Sequence, residues 1–282
     1  MVEEKILTVK EGENVTLNCE IDSKPAVVYH NWTKDDAVVS TDLKHVLGNV
    51  QRYDTGIYTC IAVNELHDGT LGEGDNKTEV IVEYIPDVSI DIGAPIIKED
   101  ETAMFTCKID SNPNVTYHNW TKDGVVVSTD LNLTIANAQR QHTGTYQCIA
   151  GNVFYDGTTG TGSSATNLTV QYAPAVKVDM NSVTVKEGEN VTFDCEIDSD
   201  PDVVYHNWTK GGAVVSTDLS YMIEKVQRHD DGIYYCIAGN ELYDGTSGTG
   251  QNGTEVNVEC KSGNLPCRES SKIKVCNVQD SP

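Results

Sequence analysis

Six cysteines fix the frame of this chain. Cys19 and Cys60, Cys107 and Cys148, and Cys195 and Cys236 each stand 41 positions apart, and the pairs recur every 88 residues. The same shift superposes Trp32, Trp120 and Trp208, the YHNWTK runs that begin at Tyr29, Tyr117 and Tyr205, and the Asp-Gly-Thr runs at Asp68, Asp156 and Asp244. A period of this kind sets the domain count before any other reading. It predicts three copies, at residues 1–85, 86–173 and 174–259, followed by a cysteine-containing tail at 260–282. A length of 282 residues suits three small β-domains, each able to bury its own core.

Within a copy, short runs of β-branched and aromatic residues are separated every 8 to 12 positions by Gly, Pro, Asp and Asn clusters, the pattern of an all-β sandwich. Helical periodicity is absent. In the first copy Val15, Leu17 and Cys19 alternate with Asn14, Thr16 and Asn18, so one strand face is apolar and Cys19 points inward. Trp32 follows Cys19 by 13 residues and Tyr58 precedes Cys60 by two.

At these residues the chain resembles the immunoglobulin superfamily. Cys19, Trp32 and the run Asp54, Gly56, Tyr58, Cys60 match its Cys, Trp and D-x-G-x-Y-x-C signature, and Asp230, Gly232, Tyr234 and Cys236 repeat it. The Leu133, Ile135, Ala138 spacing looks like strand E of an I-set or C2-type domain. The resemblance covers roughly residues 1 to 260 and implies an all-β chain of three tandem immunoglobulin-like sandwiches in an elongated rod. It further implies intradomain bridges Cys19–Cys60, Cys107–Cys148 and Cys195–Cys236, buried Trp32, Trp120 and Trp208, and tyrosine corners at Tyr58, Tyr146 and Tyr234. The 41-residue spacing leaves no room for the C′ and C″ strands of a variable domain. Copy two departs from the signature, with His142 where the acid belongs, so an ion pair near Arg140 is expected to be lost there and regained by His142→Asp.

The linkers Val82-Glu83-Tyr84-Ile85-Pro86 and Val170-Gln171-Tyr172-Ala173-Pro174 lead from one copy into the next without spare residues, and proline limits bending. At the third such position Cys260 replaces the Tyr and Ser262 the Pro. The tail carries net charge +2 against −25 for the remainder and holds Cys260, Cys267 and Cys276, an odd set. One internal bridge at most is available to it, so either an intermolecular disulfide or a partner cysteine outside these residues is expected. A zinc site suits three cysteines at spacings of seven and nine poorly.

The overall formal charge of −23 repels a phosphate backbone, so nucleic acid is excluded as a partner. No run approaches the ~18 consecutive apolar residues of a membrane helix. The opening MVEEKILTVKEGE lacks the basic and apolar regions of a signal peptide; a secreted chain of this kind would have lost its leader, and Met1 would not then be native. Ten N-x-T sequons stand at Asn14, Asn31, Asn76, Asn114, Asn119, Asn132, Asn167, Asn190, Asn207 and Asn252. Composition alone predicts about three. Internal copying reduces the ten to six independent sites, and exposed strand faces rich in Asn and Thr account for part of the excess. Asn31, Asn119 and Asn207 each precede an inward Trp, so alternation turns them outward, where N-linked glycans would shield that face.

Catalysis finds little support. His30, His118 and His206 recur two residues before each Trp, where a hydrogen-bonded core-edge histidine is the simpler reading than a general base. The glycine-rich run Asp68 to Gly74 reads more simply as a hairpin turn than as a phosphate or cation loop. Asp198, Asp200 and Asp202 lack the ligand series of a calcium loop and read as a solvated loop. No metal or cofactor is expected. The chain is therefore expected to be an extracellular glycoprotein, secreted or a cell-surface ectodomain, that serves protein recognition and adhesion without being an enzyme. Its partner is a protein ligand or a second copy of itself, and it presents no membrane segment. In a tandem array only copy one shows its loop tips freely, so Asp22, Ser23, Lys24 and Pro25 with His67, Asp68, Gly69 and Thr70 are the candidate partner site. Two rival readings are a subunit of an extracellular fibre or matrix and a soluble immune-type recognition protein, which three similar copies would suit by multivalency.

Overall fold

A computed structural model describes residues 5–259. Copy one folds as β1 (Lys5–Lys10), β2 (Val15–Asn18), β3 (Val27–Lys34), β4 (Ala37–Ser40), β5 (Lys44–Leu47), β6 (Gly56–Glu65) and the start of β7 (Leu71–Ile92). Strands β4, β3, β6 and β7 form one antiparallel sheet with β1 running parallel on the β7 edge, while β2 pairs antiparallel with β5. The alternation that buries Leu17, Trp32, Tyr58 and Val80 turns every second residue of these strands away from the core.

Copy two repeats this with β8 (Ile96–Lys98), β9 (Ala103–Asn112), β10 (Tyr117–Lys122), β11 (Val125–Ser128), β12 (Asn132–Ile135), β13 (Gly144–Val153) and β14 (Thr159–Val178). Copy three has β15 (Ser182–Lys186), β16 (Val191–Asp200), β17 (Tyr205–Lys210), β18 (Ala213–Ser216), β19 (Ser220–Ile223), β20 (Gly232–Glu241) and β21 (Ser247–Glu259). All three sandwiches are all-β, and each holds one disulfide: Cys19–Cys60, Cys107–Cys148 and Cys195–Cys236. The partners sit on facing sheets beside a fully buried Trp, because Trp32, Trp120 and Trp208 lie directly across the ladder from Cys60, Cys148 and Cys236. Tyr58 and Tyr234 are buried and donate hydrogen bonds from their hydroxyls to the backbone of Asp54 (3.1 Å) and Asp230 (3.0 Å), the tyrosine-corner contact. Tyr146 is buried in the equivalent place. Phe105 and Phe193 fill the middle of the second and third cores against Trp120, Tyr146, Trp208 and Tyr234, where copy one has the smaller Leu17.

The described residues divide into two compact units, one of residues 5–95, 104–135 and 144–167, the other of residues 96–103, 136–143 and 168–259. Within the first, β7 runs unbroken from copy one into copy two, where Asp87 to Ile92 pair with β9; within the second, β14 pairs with β16 in the same way. The three tail cysteines, Cys260, Cys267 and Cys276, lie outside the described residues.

Two expectations are corrected. Each copy does possess a C′ strand, namely β4, β11 and β18, paired antiparallel with the Trp strand. Its cause is turn chemistry: Asp35–Asp36, Asp123–Gly124 and Gly211–Gly212 all place both turn residues at positive φ (48° and 64°, 49° and 82°, 56° and 85°). Such a two-residue turn folds the strand straight back as a hairpin. No further strand separates C′ from β5, β12 or β19 among the described residues. The second correction concerns His142. In copies one and three Asp54 and Asp230 do not pair with the neighbouring arginine; each carboxylate accepts the backbone N–H three residues earlier, from Gln51 (2.8 Å) and Gln227 (2.7 Å). His142 supplies the same acceptor through Nδ1, 2.8 Å from the Gln139 N–H. Copy two thus keeps the local hydrogen bond, and Arg140 keeps two carboxylate partners of its own.

Candidate functional site

The end of copy one is best understood from the two places where one sandwich meets the next. In the first unit, Lys10 at the end of β1 reaches into the Asp-Gly-Thr loop of copy two, donating to Asp156 Oδ2 and Thr158 Oγ1, both at 2.6 Å. Arg52 sits between Glu11, Asp87 and Asp110 (3.3 to 3.4 Å) and stacks its guanidinium 4.2 Å from the centre of the Tyr84 ring. Tyr84 gives its hydroxyl to Asp110 (3.1 Å), and its carbonyl accepts from Asn152 Nδ2 (2.8 Å). Glu83 accepts the Tyr155 backbone N–H at 2.7 Å.

The second unit repeats this joint, with Gln171 in place of Glu83 and Ala175 in place of Asp87. Lys98 pairs with Asp244, Arg140 with Glu99 (3.3 Å) and Asp198 (2.9 Å), and the Arg140 guanidinium lies 3.9 Å from the Tyr172 ring centre. Asn240 Nδ2 donates to the Tyr172 carbonyl (2.9 Å), and Gln171 accepts the Tyr243 N–H (2.7 Å). Asp198 is consequently not part of a solvated loop. It belongs to β16 and serves two donors, since Tyr172 and Arg140 both arrive from the preceding copy.

The Lys10 ammonium and the Thr158 hydroxyl hold the Asp156 carboxyl well below the usual carboxylate range, at about 2. A depressed folded-state value means that the contact's stabilisation is present above the ordinary carboxylate pKa near ~4 and is lost as pH falls through about 2. Carboxyl NMR should show the Asp156 titration moving up in Lys10→Met while staying below the ordinary value, because the Thr158 hydroxyl and backbone N–H still donate to it; an unmoved titration would remove Lys10 as a cause.

Copy one carries the residues that form the receiving half of this joint in copies two and three, Asp22, Asn64 and Asp68. Asp22, Ser23, Lys24 and Pro25 are exposed, as are His67, Asp68, Gly69 and Thr70. The structure brings the two segments together: Asn64, from the strand leading to the second, donates to the Pro25 carbonyl at 3.3 Å, and Ser23 Oγ turns back to the same oxygen at 2.6 Å. Asp68 accepts Thr70 N–H (3.1 Å) and Thr70 Oγ1 (2.6 Å) through Oδ1 across Gly69 at φ 80°, the same turn as Asp156 and Asp244 use. Beside them an open groove of about 570 Å³ runs between residues 19–24 and residues 72–76.

Sequence reasoning passed over Asn64 and the Lys10 and Arg52 donors, and read Gly72 and Gly74 as turn residues although both lie inside β7. The 88-residue shift carries their signal, because Asn64, Asn152 and Asn240, Gly74, Gly162 and Gly250, and Lys10, Lys98 and Lys186 are identical. The valine-rich C′ strands were also missed; Val125, Val126 and Val127 are all exposed along one. His30, His118 and His206 are half-buried across the ladder from Ala62, Ala150 and Ala238. Among the described residues no cluster of three or more His, Cys, Asp or Glu is placed to hold a metal, and no helix is long and apolar enough to cross a membrane.

Of the sequon asparagines, Asn14, Asn76, Asn114, Asn132, Asn167 and Asn190 are exposed, whereas Asn31, Asn119, Asn207 and Asn252 are half-buried. Asn252 Nδ2 donates to the Val176 carbonyl of β14 at 3.3 Å, while its counterpart Asn76 lines the open groove. Glycopeptide mass spectrometry on secreted protein should find Asn76 occupied to a greater extent than Asn252; equal or reversed occupancy would show that the strand does not protect it.

Two family models, each described as immunoglobulin domain, match the chain, one over residues 1–82 and the other over residues 86–152 and 173–240. Among curated proteins, human hemicentin-1 is 28% identical over 271 residues, covering 83% of this chain and 5% of the relative. Protein sax-3 of Caenorhabditis elegans is 26% identical over 271 residues, covering 83% and 20%, and human Kin of IRRE-like protein 1 is 26% identical over 255 residues, covering 83% and 32%. The chain thus spans a third or less of the length of these relatives. The I67–I69 fragment of the titin I-band superposes with a TM-score of 0.56 at 21% identity, covering 92% of this chain and 98% of that one. The mouse nectin-like molecule 4 ectodomain gives 0.56 at 15% identity, covering 93% and 99%.

Proposed function

The chain belongs to the immunoglobulin domain family, and from that premise we propose that it is an extracellular, N-glycosylated, non-catalytic protein that works by protein recognition and adhesion. The observation that carries the reading is the exposed loop tip of copy one, at residues 22–25 and 67–70. Asp22 and Asp68 present there the acceptors that Arg140 and Lys98 engage at the equivalent Asp198 and Asp244. A surface already shaped twice in this chain to receive another protein domain is a recognition surface by its chemistry: exposed carboxylates beside a backbone carbonyl. Three disulfides suit an oxidising compartment, and the exposed sequons suit a secretory route. The chain's relatives, hemicentin-1, sax-3 and Kin of IRRE-like protein 1, support recognition and adhesion at the level of the family.

The test is adhesion itself. Beads carrying the secreted chain should bind cells or one another, and Asp22→Lys with Asp68→Lys should remove that binding, while Glu224→Lys on copy three leaves it intact. Beads that stay inert on every surface offered, or that bind equally with the doubly substituted end, would sink the reading.

A further inference from the structure

The core of copy one holds a histidine, His45, where neither other copy has one. The 88-residue shift sets it against Leu133 and Tyr221. It lies in β5 directly across from Leu17 in β2, and its ring centre stands 6.1 Å from that of Tyr58 at a tilt of 39°. Tyr221 holds the same position in copy three, 6.0 Å from Tyr234 and likewise tilted by 39°. An imidazole thus occupies a place that an alkyl chain or a phenol fills elsewhere in the chain. Its Nε2 is buried and has no hydrogen-bond partner among the described residues. The other histidines give no such contrast between copies: His30 recurs as His118 and His206, His67 and His229 are exposed, and the Nδ1 of His142 accepts the Gln139 N–H.

We propose that His45 makes the first sandwich an acid-sensitive switch: between about pH 6 and 5 the ring takes up a proton inside the core, β2 and β5 separate, and copy one opens. The cause is the cost of a buried charge. A protonated ring carries an N–H at both nitrogens, so Nε2 would become a donor in the same partnerless surroundings, now with a positive charge. The groups around the ring compensate little. Leu17 from β2 is apolar, and Tyr58 from β6 stays neutral because burial pushes its hydroxyl up to about 12. Lys44, next to His45 on β5, is exposed, and the Asp42 carboxylate just before β5 is the charge that favours the protonated ring. Burial outweighs Asp42 and moves the imidazole below its ordinary value near ~6.5. Above that value neither folded nor unfolded chain binds the proton, and copy one has its full stability. Below it the unfolded chain binds the proton more readily, so stability falls with the pH until the folded ring takes the proton as well. Opening reaches the loop at residues 22–25, because β2 continues into it through Cys19, whose N–H donates to the Leu43 carbonyl (2.8 Å) two residues before His45. The Cys19–Cys60 bridge keeps β2 tied to β6, so the change is reversible. The inference goes beyond the recognition reading and does not rest on it, since it concerns the core of copy one.

Hydrogen exchange on the full chain, with its disulfides intact and rates corrected for the intrinsic effect of pH, tests the switch. On going from neutral pH to about pH 5.5, the opening of residues 15–18 and 44–47 should rise at least ~10-fold, and it should return on neutralisation. Residues 191–194 and 220–223 of copy three, with Tyr221 in place, should change less than ~3-fold. Copy three is the control because His142 of copy two is itself an acceptor that a proton would cancel. The chain supplies the corrective substitutions: His45→Leu and His45→Tyr install the residues of copies two and three, and each should hold the acid response of copy one to that of copy three. Equal acid responses of copies one and three in the parent chain would overturn the proposal, a comparison that needs no variant to fold. So would a response of copy one that persists undiminished in either variant folded at neutral pH.

Discussion

Trp120→Ala should lower the unfolding free energy of the second sandwich by about 3–5 kcal/mol, the range for removing a fully buried large aromatic from a core that cannot collapse around the void. Trp120 is completely buried, lies across the ladder from Cys148, and has its ring centre 5.7 Å from that of Phe105. Its Nε1 also donates to the Leu131 carbonyl at 3.3 Å, as Trp208 does to Leu219 at 3.2 Å. Trp32 is as deeply placed, yet its Nε1 is buried without a hydrogen-bond partner among the described residues. Trp→Phe should therefore cost more at position 120 than at position 32, by about 1 kcal/mol, since only the first loses a hydrogen bond, whereas the second removes a buried N–H that has no partner among the described residues. Guanidinium unfolding of the single variants measures both effects, with an unchanged slope needed for the midpoints to be read as stability. A Trp120→Ala loss under ~1 kcal/mol would mean that the core repacks and that the Trp does not organise it.

The disulfide spacing, the inward Trp and the tyrosine corner were legible because each depends on residues close in sequence or repeated at a fixed period. The C′ strands depend on turn chemistry at Asp35–Asp36 and its equivalents, two consecutive left-handed positions that a count of residues between the cysteines does not register. His142 was misjudged because its column was read for charge. What the site needs is one short-range acceptor, which an imidazole nitrogen provides as well as a carboxylate does.

The joints were the least legible part. Lys10 and Asp156 are 146 positions apart, Arg52 and Asp110 are 58 apart, and no local pattern marks either residue as anything but a solvated charge. Only the geometry pairs them. Once it does, the period that revealed the copies also locates the corresponding charges, Asp22 and Asp68 in copy one and Lys186 and Arg228 in copy three.

Gly162→Ala and Gly250→Ala should each destabilise the chain by at least ~1–3 kcal/mol, the range for forcing extra carbon into a closely packed site. Neither glycine is needed for a left-handed backbone, so the effect is one of space. A methyl group at either position would overlap the carbonyl group of Pro86 or Pro174, and backbone atoms of a strand paired on both sides cannot swing away as a side chain can. Relief requires the incoming strand to lift, which also separates Tyr84 from Asn152, or Tyr172 from Asn240. Limited proteolysis should then open the chain near residues 84–92 or 172–178, well before the sandwiches themselves unfold. Gly74→Ala is the internal control: the same residue in the same seat, with no strand over it, should stay within ~0.5 kcal/mol of the parent. If Gly162→Ala proves as mild as Gly74→Ala, the strand is not held against the seat in solution, and the joint rests instead on the side-chain contacts of Lys10 and Arg52.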